Sequence, residues 1–193
     1  MLAGIDFGSK TAGTTVICFG SENIGLSFLC SNNKQDTDEW LIEKLKNLKP
    51  NHVFIDAPLS FPLALLTKDI NGNFLYRKAD EETGAMSPLF LGTYSARAIK
   101  LMLTFNDTVK FFETYPAQLL KTLNYQNLYS KKQKNISSEL LKSLNKISGF
   151  NLTENDILNT HYLDAYLCWI SGLRYLQNKY ITFGNREEGL IFV

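Results

Sequence analysis

Leu2-Ala3-Gly4-Ile5-Asp6-Phe7, followed at once by Gly8-Ser9-Lys10-Thr11, is the stretch that decides the fold. Apolar and glycine positions enclose one carboxylate, and a turn comes next. A short apolar run bounded by Gly and Ser reads as a buried strand. An ionised carboxylate inside such a run is costly unless it is paired or holds a metal. The segment is therefore expected to be a strand that delivers a charge to a site. The pattern returns at Val53-Phe54-Ile55-Asp56-Ala57-Pro58, and another acid ends Val109-Lys110-Phe111-Phe112-Glu113 ahead of Tyr115-Pro116. Asp164 lies inside the apolar helix predicted around Tyr162 to Ile170. Acids embedded in core elements predict one metal site.

Outward from this strand, apolar β-rich segments are expected at Leu2 to Phe7, Thr14 to Phe19 and Ile24 to Cys30, with short links that suit antiparallel neighbours. Trp40, Leu41, Leu45 and Leu48 fall at helical spacing, Asp36 with Glu39 resembles a capping box, and Pro50 stops the helix. A strand from His52 to Ala57 precedes a Pro- and Gly-punctuated, insertion-like stretch at about 58–90, long for a simple loop. A helix from Thr93 to Phe105, a strand from Thr108 to Tyr115 and a short helix begun by Pro116 follow. After a basic polar loop come helices from Ser138 to Ile147 and from Glu154 to Gln177, the second capped by Thr153 with Asp156 at its third position. Ile181 to Val193 reads as a final extended piece. Stripped of additions, the order β-β-β-α-β-α-β-α predicts an α/β domain with a mixed five-stranded sheet and helices on both faces.

At 193 residues the chain suits one domain, residues 1–193. Apolar residues make up 45% and charged residues 20%, which excludes a disordered chain. No stretch approaches the ~20 apolar residues of a bilayer span, and no basic region precedes an apolar one at the start, so a cytoplasmic protein without membrane contact is expected. Cys18, Cys30 and Cys168 form no CxxC pair and read as buried free thiols. A net charge of +1 argues against a general polyanion binder. It leaves room for a local patch at Lys131-Lys132-Gln133-Lys134, whose lysines suit phosphate contacts or a solvated loop.

Parallel strands bring their C-terminal ends to one sheet edge, where open α/β sheets place ligands. Asp6, Asp56, Glu113 and Asp164 can converge there. Carboxylate oxygens are hard ligands for Mg²⁺ or Mn²⁺, and two such ions about 4 Å apart stabilise the attacking and leaving oxygens of phosphoryl transfer. Each acid has a rival reading. Asp6 can serve the turn through Lys10 or Thr11, Asp56 can be a turn acid, and Glu113 can pair with Arg77 or Arg97. An unpaired Asp164 is hardest to explain by stability alone. His161, one turn before it, is a further metal ligand or a hydrogen-bonded helix histidine.

Taken together, Gly4-Ile5-Asp6-Phe7-Gly8-Ser9-Lys10, Ile55-Asp56-Ala57-Pro58-Leu59, Arg77-Lys78-Ala79-Asp80, Glu113-Thr114-Tyr115-Pro116, Leu163-Asp164-Ala165 and Glu188-Gly189-Leu190-Ile191 resemble the DUF429 family. That family is regarded as predicted nucleases of the ribonuclease H-like fold, related in architecture to RuvC-type Holliday-junction resolvases. The first strand and turn are also similar to YqgF-type resolvase-like proteins. The resemblance spans essentially the whole chain. It implies a metal-dependent nuclease acting on DNA or RNA, with Asp6, Asp56, Glu113 and Asp164 as the catalytic acids and a possible homodimer. In that scheme Asp6 bridges two ions, Asp56 and Asp164 each complete one, and Glu113 binds metal or orients water. Lys10, Arg77 and Arg97 are the expected phosphate contacts. The chain departs from many relatives at His161, where they carry an acid; imidazole there shifts the site towards Mn²⁺ or marks an inactive relative. Two other readings compete: an ATP-binding phosphotransferase resembling the actin, Hsp70 and sugar-kinase superfamily, and a noncatalytic nucleic-acid or protein-binding module of the same fold.

Overall fold

Alternation along the first strand sorts the molecule into two cores. The computed structural model describes residues 1–21, 25–105, 108–129 and 136–193. Strand β1 (Leu2–Asp6) runs antiparallel to β2 (Val16–Ser21), and β2 antiparallel to β3 (Gly25–Cys30). On its other side β1 pairs in parallel with β4 (His52–Asp56), and β4 in parallel with β5 (Lys110–Glu113). The hairpin of β6 (Thr182–Asn185) and β7 (Gly189–Phe192) completes a seven-stranded mixed sheet in the order β3-β2-β1-β4-β5-β7-β6.

Ala3, Ile5, Ile17, Val53 and Ile55 face one core. They pack with Trp40, Leu41 and Leu45 of α1 (Thr37–Leu48) and with Ala98 and Leu101 of α5 (Thr93–Thr104). Leu2, Val16, Cys18 and Phe54 face the other, beneath α6 (Pro116–Thr122), α7 (Ser138–Ser148) and α8 (Thr160–Leu176). Helices thus cover both faces. Each fully buried Leu, Ile or Phe contributes roughly 1.5–3 kcal/mol relative to exposure, so the apolar spacing of these elements accounts for their docking. Asp36 starts α1 by accepting the amides of Asp38 and Glu39, and Lys49, in the left-handed region ahead of Pro50, ends it.

Two expectations need correction. The sheet has seven strands rather than five. The additional pair is four residues per strand, contains Gly184 and Gly189, and meets β5 at the single register pair Glu113–Ile191, so it carries little periodicity. The last helix begins at Thr160, not at Glu154. Thr153 and Asp156 do form a local turn, in which the carboxylate accepts the Thr153 amide and hydroxyl. The turn ends there, and Asn159 makes a new cap by accepting the amides of His161 and Tyr162.

The 58–90 stretch holds α2 (Leu63–Thr67), α3 (Lys78–Thr83) and α4 (Pro88–Leu91). The C-terminal hairpin ties it down: the Glu188 carboxylate accepts the amides of Leu63 and Lys78, and the Ser60 hydroxyl donates to the Glu188 carbonyl. Among the described residues no helix is long and apolar enough to cross a membrane.

Candidate metal centre

Asp6 and Asp56 end adjacent parallel strands and are register partners, so the pleat points both carboxylates to the face covered by α8. The helix can reach them because of Gly4. A Cβ on that residue would lie 2.2 Å from the Trp169 amide nitrogen and 2.5 Å from the Ala165 carbonyl oxygen. Both are backbone atoms that a side chain could not push aside, so glycine lets the helix backbone rest directly on β1. Gly172 repeats the device further along, against Leu2 and Phe54. With α8 seated this closely, Asp164 enters the cluster. One carboxylate oxygen from each of Asp6, Asp56 and Asp164 lies within 4.8 Å of the others.

Asp6 is 8% exposed and Asp164 only 2%. Three carboxylates at this separation repel one another, and a hard divalent cation among their oxygens removes that repulsion. The donor set fits such an ion. Local partners also temper the charge. His161 Nδ1 lies 2.7 Å from Asp6 Oδ2, and the Tyr129 hydroxyl donates to both Asp164 oxygens, at 2.8 and 3.0 Å. Burial, followed by the charge of Asp164, pushes the Tyr129 phenol far above its ordinary value, so it stays a neutral donor. The Tyr94 hydroxyl donates to the Asp56 carbonyl, and its phenol is likewise raised, by burial and then by Asp56 and Asp6. Cys168, one turn beyond Asp164, is fully buried; burial first and the three acids next raise its thiol.

Glu113 belongs to a different constellation. Its register partner on β4 is Ile55, not Asp56, so the pleat turns it to the opposite face of the sheet. There Arg77 Nη1 and Nη2 donate to its two oxygens at 2.7 Å, and the Leu59 amide donates at 2.9 Å. The remaining guanidinium hydrogens go to Ser60 Oγ and both oxygens of Asp80. Burial drives the Arg77 guanidinium down, but Glu113 and Asp80 more than restore it, and it stays charged. Burial pushes Glu113 above the usual carboxylate range, with Arg77 pulling it back.

This changes the expected roles. Arg77 is inaccessible to solvent and all five of its N–H groups are used, so it has no donor left for a phosphate. Arg97 is a strut: it grips Asp38 in a bidentate pair, donates to the Gly8 carbonyl and stacks over Phe7 at 4.7 Å. Lys10, 3.0 Å from Asp36 and largely exposed, remains able to meet a phosphate. Lys131, Lys132 and Lys134 lie outside the described residues. Tyr129 and Tyr94 escaped the sequence reading. Neither sits in a recognisable motif, and Tyr129 meets Asp164 across 35 residues of chain. No protein-family model and no curated protein matches the chain.

Proposed function

We propose that the chain is a metal-dependent nuclease of the ribonuclease H-like fold, hydrolysing nucleic-acid phosphodiester bonds with Mg²⁺ or Mn²⁺ as cofactor. The observation that carries this reading is the carboxylate cluster, drawn from two adjacent parallel strands and one helix, with oxygens within 4.8 Å of one another. Carboxylates alone make a hard, anionic donor set. The order β-β-β-α-β-α-β ahead of the long α8 gives the α/β frame that carries this cluster to one sheet edge.

In this reading Asp6, Asp56 and Asp164 hold the ion, and His161, through its contact with Asp6, sets the direction of that carboxylate. Tyr129 fixes Asp164. Lys10, on the turn after β1, receives a phosphate next to the scissile one. A divalent ion at this position supplies Lewis acidity for an attacking water and neutralises charge developing on the phosphoryl oxygens. Labelled single- and double-stranded DNA and RNA, incubated with Mn²⁺, test the reading. The wild type should cleave at least one of them and Asp164→Asn none; equal products from both proteins, or none from the wild type on any substrate, contradict it.

A further inference from the structure

Next to the acid cluster the 58–90 stretch closes over the sheet edge and leaves a cavity of about 180 Å³. Pro58, Met86, Leu91, Tyr94 and Tyr115 supply apolar and aromatic walls, and Asp56 borders it as well as the cluster. Its remaining charged lining is Arg77 with Asp80 and Glu113, an ion-paired group whose guanidinium donors are all engaged. One arginine against two carboxylates leaves this lining net negative, so a phosphate is excluded. The walls instead suit a flat, neutral group with a large apolar surface. The size admits one such ring system and not a hydrogen-bonded pair of them. At the rim Met86 is 60% exposed, and its flexible thioether can fit itself to a planar ligand.

We propose that this cavity receives a single unpaired nucleobase of the strand whose phosphate would meet the ion held by Asp6, Asp56 and Asp164, so that the substrate is a nucleic acid with an unpaired nucleotide at the cleaved position. The inference rests on the nuclease reading. Because Asp56 borders both the cavity and the cluster, a base in the one and a phosphate at the other can belong to the same stretch of one strand. A fully stacked duplex cannot supply the base without unpairing, and an already unpaired position avoids that cost.

Fluorescence anisotropy with Ca²⁺ in place of Mn²⁺ tests this on a duplex carrying one unpaired 2-aminopurine and on the same duplex with an abasic site there. Stacking a base on aromatic walls is worth about 1–3 kcal/mol, so the wild type should prefer the 2-aminopurine duplex by about tenfold, with a change in the probe's emission. Ala85 also lines the cavity, so Ala85→Leu, which fills it, and Met86→Ala, which opens its exposed rim, should each remove most of that preference. Both should leave the melting temperature and the calorimetric Mn²⁺ affinity close to wild type. Equal wild-type affinity for the two duplexes overturns the proposal, as does a preference that survives in both variants. Full displacement by free 2-aminopurine riboside also overturns it, because the occupant is then a small molecule rather than part of a strand. Loss of Mn²⁺ binding in the wild type strikes the metal reading instead, and the duplex comparison still decides the cavity.

Discussion

Arg77→Met removes the cation from the most deeply buried ion-paired group in the described residues. Glu113, 6% exposed, loses two of its three donors, and Asp80, 1% exposed, keeps mainly the Arg77 backbone amide. Breaking a buried pair from one side costs about 3–5 kcal/mol, and at about 2–4 °C per kcal/mol for a domain of this size the melting temperature should fall by roughly 6–20 °C. Acid should narrow the gap. Burial already raises the Glu113 carboxyl with Arg77 present, and without Arg77 it rises further. The folded variant then binds a proton that the unfolded chain does not. Its deficit is therefore full above the folded-state pKa and shrinks as pH falls through that value towards the ordinary glutamate value of 4.5. Thermal melts of both proteins by circular dichroism at pH 7 and pH 5 read this directly. A variant melting within about 2 °C of wild type at pH 7, or a gap that widens at pH 5, refutes the reasoning. Calorimetric Mn²⁺ affinity should be unchanged in Glu113→Gln, since Glu113 faces away from the cluster.

Gly4→Ala should lift α8 from β1, because its Cβ would meet the Trp169 amide at 2.2 Å; overpacking of about 1–3 kcal/mol or more should appear in the melt, together with weakened Mn²⁺ binding, and wild-type values for both would refute the close approach. Tyr129→Phe removes the donor to both Asp164 oxygens and should lower metal-free stability by about 1 kcal/mol; the melting gap should close in saturating Mn²⁺, and an unchanged gap shows that the hydroxyl does not act through Asp164. His161→Asp replaces an imidazole that positions Asp6 with a further carboxylate beside the cluster and should move the Mn²⁺/Mg²⁺ affinity ratio towards Mg²⁺; identical calorimetric ratios for the two proteins show that position 161 does not influence the ion.

The acids of the cluster were legible because each breaks an apolar run, an anomaly that composition and period expose without any tertiary information. Glu113 shows the same local anomaly, yet it serves Arg77. What separates it from Asp56 is a register of one residue between β4 and β5, and no local pattern encodes register. Arg77 illustrates the same limit: an arginine beside Asp80 in a turn-rich stretch looks like a surface cation, and only the closure of the hairpin over that stretch buries it. The two strands of that hairpin are short and glycine-bearing, so they announced themselves only as an extended piece. The start of α8 is hidden in the sequence because Thr153 and Asp156 make a sound local cap, and the cap at Asn159 that begins the helix is visible only through the amides it accepts. The packing of α8 on Gly4, by contrast, gives a physical reason for glycine inside a strand that the sequence alone left open.

The most direct test of the metal centre is an anomalous difference map at the manganese edge from a crystal grown in Mn²⁺. A peak coordinated by oxygens of Asp6, Asp56 and Asp164 is the predicted result; a map with no peak among these three carboxylates at saturating Mn²⁺ contradicts the central claim.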